Sequence, residues 1–183
     1  MRRLFTAILI LGAVSTVTGQ DKYMTRDGYI RFYSHTPVED IEAVNNHVGS
    51  ILNKATGEIV FTLKMTDFNF EKRLMQRHFN DSYVESDKYP TSTFKGFITN
   101  NDKVDYSTAD SYSVVVEGDL TIHGVTNSIS TPGTIEVTEE GIKGAAKFIV
   151  KPADYDIKIP KIVRRKIAEE MDITVKIKYE PMD

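Results

Sequence analysis

The chain has 183 residues, a formal net charge of −3 at pH 7 and no cysteine. This length suits one domain with its own core, and the missing cysteines exclude disulfides and thiolate metal sites. The acidic balance does not favour nucleic acid as a partner, because nucleic-acid binding needs a clustered basic surface.

Residues 1–19 have the layout of a secretory signal peptide. Arg2 and Arg3 form a short basic region, residues 4–17 form an apolar core, and small residues end at Gly19. The apolar run is shorter than the ~20 residues that span a bilayer, so a stable transmembrane anchor is not favoured. Cleavage near Gly19 would leave residues 20–183 as a periplasmic or secreted domain.

Strands are predicted first, because apolar and polar residues alternate with a period of two. In the first half of the chain they cover residues 26–36, 47–52 and 57–65. Pro37 ends the first strand, since proline lacks the N–H that a sheet needs. Residues 40–52 fit either the start of a helix or an extended segment, and the strand is favoured.

An amphipathic helix is predicted over residues 67–84. Phe70, Leu74 and Phe79 recur there near helical spacing. Such an apolar stripe is typical of plain core packing, and a lid over a cavity is the alternative.

The second half of the chain contains the clearest hairpin, over residues 112–130. Gly118 inside it predicts a bulge or a sharp bend, and Gly124 predicts a turn with positive φ. The further extended segments are 91–99, 131–137, 143–151, 154–160 and 172–180. Residues 100–110 are predicted to form a loop, and residues 161–171 one or two helical turns.

About eight strands separated by short turns are typical of a sandwich or a barrel. A barrel has no free edges, and eight strands enclose room for side chains or for one small ligand. The alternation pattern alone does not choose between these two architectures.

Two motifs in the chain resemble the YceI-like family. The first contains Tyr89-Pro90, Phe94 and Gly96, and the second is GDLTIHGVT over residues 118–126. The resemblance extends over residues 27–180. It implies an all-β fold, an eight-stranded antiparallel lipocalin-like β-barrel with one or two short helices. It also implies a periplasmic or secreted protein that binds a polyisoprenoid or related lipid in an elongated apolar channel.

The candidate ligand-binding residues are apolar and are expected to point into the barrel. They are Phe32, Phe61, Leu63, Met65, Leu74, Phe94, Tyr112, Val114, Val116, Phe148, Val150 and Val175. A long apolar chain would gain about 25 cal/mol for each Å² that it removes from water. The alternative is a barrel filled by these side chains, which would act as a structural or stress-protective interaction module.

No catalytic residue, cofactor or metal site is predicted. The chain has no GxSxG motif and no glycine-rich phosphate loop, and its four histidines lack ligand spacing. An enzyme that acts on a lipid precursor would need titratable groups inside the barrel, and the inward-facing sets contain almost none. The basic run from Lys161 to Lys166 fits a solvated face better than a headgroup site, and a homodimer stays an open alternative.

Overall fold

The computed structural model describes residues 21–182, so the predicted signal peptide lies outside the described residues. Nine strands form one sheet in this part of the chain. Their bounds are β1 Lys22–His35, β2 Asp40–Asn53, β3 Glu58–Lys64, β4 Asn69–Phe70, β5 Thr91–Ile98, β6 Ser111–Ile122, β7 Val125–Thr138, β8 Gly141–Val150 and β9 Met171–Pro181.

The sheet closes into an antiparallel barrel of eight long strands. The hydrogen-bonded order is β1-β9-β8-β7-β6-β5-β3-β2, and β1 also pairs with β2, so each of these eight strands has a neighbour on both sides. The two-residue strand β4 pairs with the first half of β2, beyond the residues of β2 that pair with β3. The predicted eight-stranded lipocalin-like barrel is therefore confirmed.

Strand β2 extends through the whole of residues 40–53, so the helical alternative for its first half is wrong. Its first half pairs with β1, where Ala43 lies opposite Phe32. Its second half pairs with both β1 and β3, where Leu52 lies opposite Ile59. This pairing satisfies the backbone groups that a helix would otherwise have satisfied internally.

Successive strands run in opposite directions, so the connections between them lie alternately at the two ends of the barrel. We call the open end the one bounded by residues 36–39, 71–84, 123–124 and 151–170. We call the closed end the one bounded by residues 54–57, 99–110 and 139–140. At the closed end the side chain of Asn101 donates to the Lys54 carbonyl at 2.8 Å, and the hydroxyl of the half-buried Tyr106 donates to Asn101 at 2.8 Å.

The half of the barrel near the closed end is largely filled by side chains. Leu52, Ile98, Ile135, Ile142 and Tyr179 are all buried in one apolar cluster. The Tyr179 side chain is 1% exposed, and its hydroxyl lies 2.8 Å from the hydroxyl of Ser50. Burial raises the pKa of Tyr179, so this phenol remains neutral and keeps its hydrogen bond.

The helix is shorter than the pattern predicted. Helix α1 covers Arg73–His78 and continues as a π-helical turn over Phe79–Tyr83. Phe70 belongs instead to β4, where it pairs with Ala43 of β2. No helix in the described residues has the length and apolar content to cross a membrane.

The connection between β8 and β9 is also less regular than predicted. Pro152–Tyr155 and Lys161–Val163 form short 3-10 turns, and the residues between them pair with no strand. This connection crosses the open end of the barrel, where Ile157 and Ile159 point at the interior.

Gly118 does not mark the bulge that its position predicted. The pairing of β6 with β5 and with β7 continues through Gly118 without a shift in register. Gly118 instead lies directly opposite Gly96, and the ring of Phe94 packs beside both glycines. These two glycines are needed because the two backbones and the ring approach too closely for a Cβ atom.

An apolar cavity at the open end

A cavity of about 500 Å³ occupies the open half of the barrel. Residues of every strand except β7 line its sides, and two segments cover it. The covering residues are Leu74, Met75, His78, Phe79, Tyr83 and Val84 of the helical segment, and Ile157, Ile159, Val163, Lys166 and Ile167 of the β8–β9 connection. We call this space the upper cavity.

Four phenylalanine rings form one wall of the upper cavity. Phe79 of the helical segment packs against Phe32, Phe68 and Phe70 with ring centroids 5.5, 5.7 and 5.1 Å apart. Such clusters gain from ring–ring contact in addition to burial. The wall fixes the helical segment above the barrel, and therefore keeps the space beneath it open.

A second cavity of about 100 Å³ lies deeper in the barrel. We call it the lower cavity. Ile30, Leu63, Ser92, Leu120 and Phe148 line both cavities, so the two spaces are neighbours along the barrel axis. Ser92 offers no free hydroxyl proton, because its hydroxyl donates to the Thr121 carbonyl at 2.8 Å. The path through both cavities is therefore almost entirely apolar.

The charged side chains among the described lining residues of the upper cavity meet at its rim. The Glu39 carboxylate lies 3.0 Å from the Lys72 ammonium and 3.8 Å from the Lys166 ammonium. Lys72 precedes the helix and Lys166 belongs to the β8–β9 connection, so Glu39 joins the two covering segments. The hydrogen bond from Lys72 lowers the pKa of Glu39, which therefore stays ionised at neutral pH.

Eleven of the twelve lining residues predicted from the sequence lie at a cavity. The upper cavity is lined by Phe32, Leu63, Met65, Leu74, Phe148 and Val150. The lower cavity is lined by Phe61, Leu63, Phe94, Val114, Val116, Phe148 and Val175. Tyr112 lies outside both, because it is near the closed end and its hydroxyl donates to the Thr108 carbonyl at 3.3 Å.

Two groups of lining residues were not predicted from the sequence. The first group has the same parity as the predicted residues on the same strands, so the alternation could have identified it. Its members are Ile30, Leu120, Ile122 and Ile173. Ile157, Ile159, Val163 and Ile167 lie in the irregular connection across the open end. A periodic sequence pattern cannot predict that these side chains point into the cavity, because their direction depends on the path of an irregular backbone.

A histidine at the tip of the β6–β7 hairpin holds the covering segments to the barrel. His123 Nε2 lies 2.8 Å from a carboxylate oxygen of Glu85, and Nδ1 lies 3.0 Å from the Tyr155 carbonyl. Both partners are oxygen acceptors, so the imidazole ring can hold the Glu85 carboxylate and the Tyr155 carbonyl at the same time. We call these three groups the latch.

The backbone around the latch is strained. Glu85, His123 and Asp156 are the non-glycine residues with positive φ among residues 21–182, and all three line one polar pocket of about 370 Å³ beside the upper cavity. Each such conformation costs on the order of 1 kcal/mol and persists only where surrounding contacts require it. Gly124 follows His123 with a φ of 75°, as a two-residue hairpin turn of type I′ requires.

We expect Glu85→Gln to weaken the latch at neutral pH and to change its pH dependence. The hydrogen bond from His123 holds the pKa of Glu85 below its ordinary value of 4.5. A lowered pKa stabilises the fold above that ordinary value, and the contribution is lost as the pH falls through the lowered value. The melting temperatures of the native chain and of Glu85→Gln should therefore converge in acid, as measured by circular dichroism from pH 3 to pH 7.

The exposed neighbour Asp87 supplies the control for this experiment. Asp87→Asn removes the same charge outside the latch, and its melting curve should follow that of the native chain over the whole pH range. If the difference in melting temperature between the native chain and Glu85→Gln stays constant in acid, the contact between His123 and Glu85 does not stabilise the fold as proposed.

The other histidines have separate environments. His35 contacts Asp40 at 2.6 Å, His47 is exposed, and His78 lies at the upper cavity. Across residues 21–182 no three His, Cys, Asp or Glu side chains are grouped so that they could hold a metal ion.

Comparison with known proteins gives one family. The model of the YceI-like domain matches residues 14–179, while no curated protein matches the chain. A polyisoprenoid binding domain from Saccharophagus degradans, implicated in plant cell wall breakdown, has 15% identity and a TM-score of 0.77, with 89% of this chain and 99% of that domain covered.

Two further solved structures have the same fold. BcnA of Burkholderia cenocepacia has 14% identity and a TM-score of 0.64, with 81% of this chain and 94% of that chain covered. The YCEI protein of Campylobacter jejuni has 18% identity and a TM-score of 0.58, with 76% of this chain and 83% of that chain covered. Since the family model matches most of its length, the chain belongs to the YceI-like domain family.

Proposed function

We propose that this protein binds a long-chain isoprenoid or a similar lipid inside its barrel, outside the cytoplasm. The observation that carries the proposal is the upper cavity, whose volume of about 500 Å³ lies within the usual range for small-molecule sites. An apolar chain placed there would contact phenylalanine, leucine and isoleucine side chains, and would leave its polar end at the charged rim.

The lower cavity extends the same apolar path toward the closed end, which suits a ligand that is long and narrow. The Saccharophagus degradans protein with the same fold is a polyisoprenoid binding domain, and this relationship supports the same class of ligand here. Export is supported by the basic and apolar layout of residues 1–19.

A binding role is favoured over catalysis. The groups at the upper cavity that can exchange a proton are His78, Tyr83, Glu39, Lys72 and Lys166, and the last three pair with one another at the rim. Burial raises the pKa of Tyr83, which makes this phenol a poor base near neutral pH. A filled barrel with a structural or stress-protective role is disfavoured by the two cavities.

Native mass spectrometry of the gently purified full chain tests the proposal. We expect a bound mass that organic solvent releases, and uptake of an added polyprenol by protein that has been stripped of lipid. A protein that carries no bound mass and takes up no polyprenol would contradict the proposal.

A further inference from the structure

Three exposed apolar side chains surround the entrance to the upper cavity. Val38 is 54% exposed, Leu74 is 58% exposed and Ile162 is 90% exposed. They lie in the β1–β2 turn, in helix α1 and in the β8–β9 connection, which are three separate segments of the open end. Each lies at or beside a residue that lines the cavity, namely Glu39, Leu74 and Val163.

Basic residues are concentrated on the same segments. Residues 71–78 and 158–167 contain Lys72, Arg73, Arg77, Lys158, Lys161, Arg164, Arg165 and Lys166. Glu71 is the single acidic residue in these two ranges. Over all four segments of the open end, nine basic residues stand against seven acidic ones, whereas the whole chain has more acidic than basic residues. The nearby carboxylate of Glu39 is paired with Lys72 and Lys166, and the other six basic residues of these ranges are exposed.

The closed end has the opposite charge. Its loops contain Asp102, Asp105, Asp110, Glu139 and Glu140, but only Lys54 and Lys103 as basic residues. Hydrogen bonds from Ser107 and Thr108 lower the pKa of Asp105 to about 2, so this carboxylate stays ionised even in mild acid. The molecule is therefore electrically polar along the barrel axis, with the cavity entrance at its positive end.

We propose that the open end docks on the anionic surface of a lipid bilayer, with Val38, Leu74 and Ile162 entering the headgroup layer. Basic clusters are attracted to anionic lipids, and exposed apolar side chains among them insert at the boundary with the acyl chains. Docking in this orientation places the cavity entrance against the membrane. The proposal goes beyond lipid binding in the barrel, because the rim would have the same charge and apolar tips around an empty cavity.

The other exposed apolar residues do not compete with this surface. Ile51, Phe97, Val115 and Ile149 lie on the outer walls of β2, β5, β6 and β8. Scattered apolar residues of this kind are ordinary on protein surfaces. What distinguishes the open end is the combination of apolar tips with a cluster of exposed basic residues.

Flotation of the folded full chain with two kinds of vesicle tests the proposal. We expect binding to vesicles of phosphatidylcholine mixed with phosphatidylglycerol at low salt, weaker binding at high salt, and little binding to pure phosphatidylcholine. The double variant Arg164→Glu/Arg165→Glu should lower the affinity by about tenfold or more, since it reverses two charges near the surface. Ile162→Ser should also weaken binding. Because this side chain is almost fully exposed, its replacement should not disturb the fold.

Matched variants at the other end and on the wall are the controls. Lys22→Glu/Lys103→Glu reverses two exposed charges near the closed end, and Ile51→Ser removes an exposed isoleucine from the outer wall near the same end. Both should bind vesicles as the native chain does. The proposal is overturned if the native chain ignores anionic vesicles at low salt, if both vesicle types bind equally, or if the control variants lose as much affinity as the open-end variants.

Discussion

Replacing Val150 with tryptophan is expected to weaken lipid uptake about thirtyfold while the barrel stays folded. Val150 ends β8, is only partly buried, and lines the upper cavity. An indole at this position would extend into empty space, so it need not displace packed side chains. It would occupy the place of two or three methylene groups of the ligand, which corresponds to about 2 kcal/mol of lost burial.

The adjacent residue supplies the matched control. Ile149 points to the outside of the same strand and is 56% exposed, so Ile149→Trp adds the same side chain outside the cavity. The native chain contains no tryptophan, so each variant has a single indole whose fluorescence reports its surroundings. The emission of Val150→Trp should change when polyprenol is added, and that of Ile149→Trp should not. Equal lipid affinity of Val150→Trp and the native chain would place the ligand elsewhere.

The strand alternation predicted the inner face of the barrel well, because a period of two does not depend on neighbouring strands. Phe32, Val114, Phe148 and Val175 point inward for this reason alone. The choice of a barrel rather than a sandwich came from the resemblance in residues 89–96 and 118–126, since alternation is the same in both architectures.

Alternation could not tell whether the interior is hollow. The closed half keeps only the small lower cavity, because Leu52, Ile98 and Tyr179 meet there. The open half is hollow because two irregular segments cover it, and the phenylalanine wall that includes Phe68 and Phe79 holds one of them above the strands. Cavity volume depends on such long-range packing, which a local sequence pattern does not contain.

The latch illustrates the same limit for the polar residues. His123, Glu85 and Tyr155 are far apart in sequence, and no spacing rule connects them. The sequence pattern placed His123 in the turn of the hairpin but indicated no partner for it. One acceptor, Glu85, directly follows the helical segment, and the other lies in the β8–β9 connection. Only the folded barrel brings both of them to the hairpin.

Gly118→Ala is expected to destabilise the fold by about 3 kcal/mol, which is near the upper end for overpacking by one methyl group. A Cβ atom at Gly118 would collide with the Gly96 Cα atom and the Lys95 carbonyl oxygen, and would lie 2.8 Å from Cζ of the Phe94 ring. The two backbones cannot move apart to make room, because β5 and β6 are each hydrogen-bonded to a neighbouring strand on both sides. Urea unfolding followed by circular dichroism would measure the loss.

Gly144→Ala is the matched control, because the same methyl group has room at that position. Its Cβ atom would lie 3.6 Å from the Tyr179 ring and 3.8 Å from Ile135, which are ordinary contact distances. Alanine there should leave stability unchanged or raise it slightly, since it restricts the unfolded chain. If the two variants differ by less than about 0.5 kcal/mol, the close approach of β5 and β6 is not what requires glycine at 118. A large difference would instead explain physically why the FxG and GDLTI motifs occur together, since Phe94, Gly96 and Gly118 form one contact.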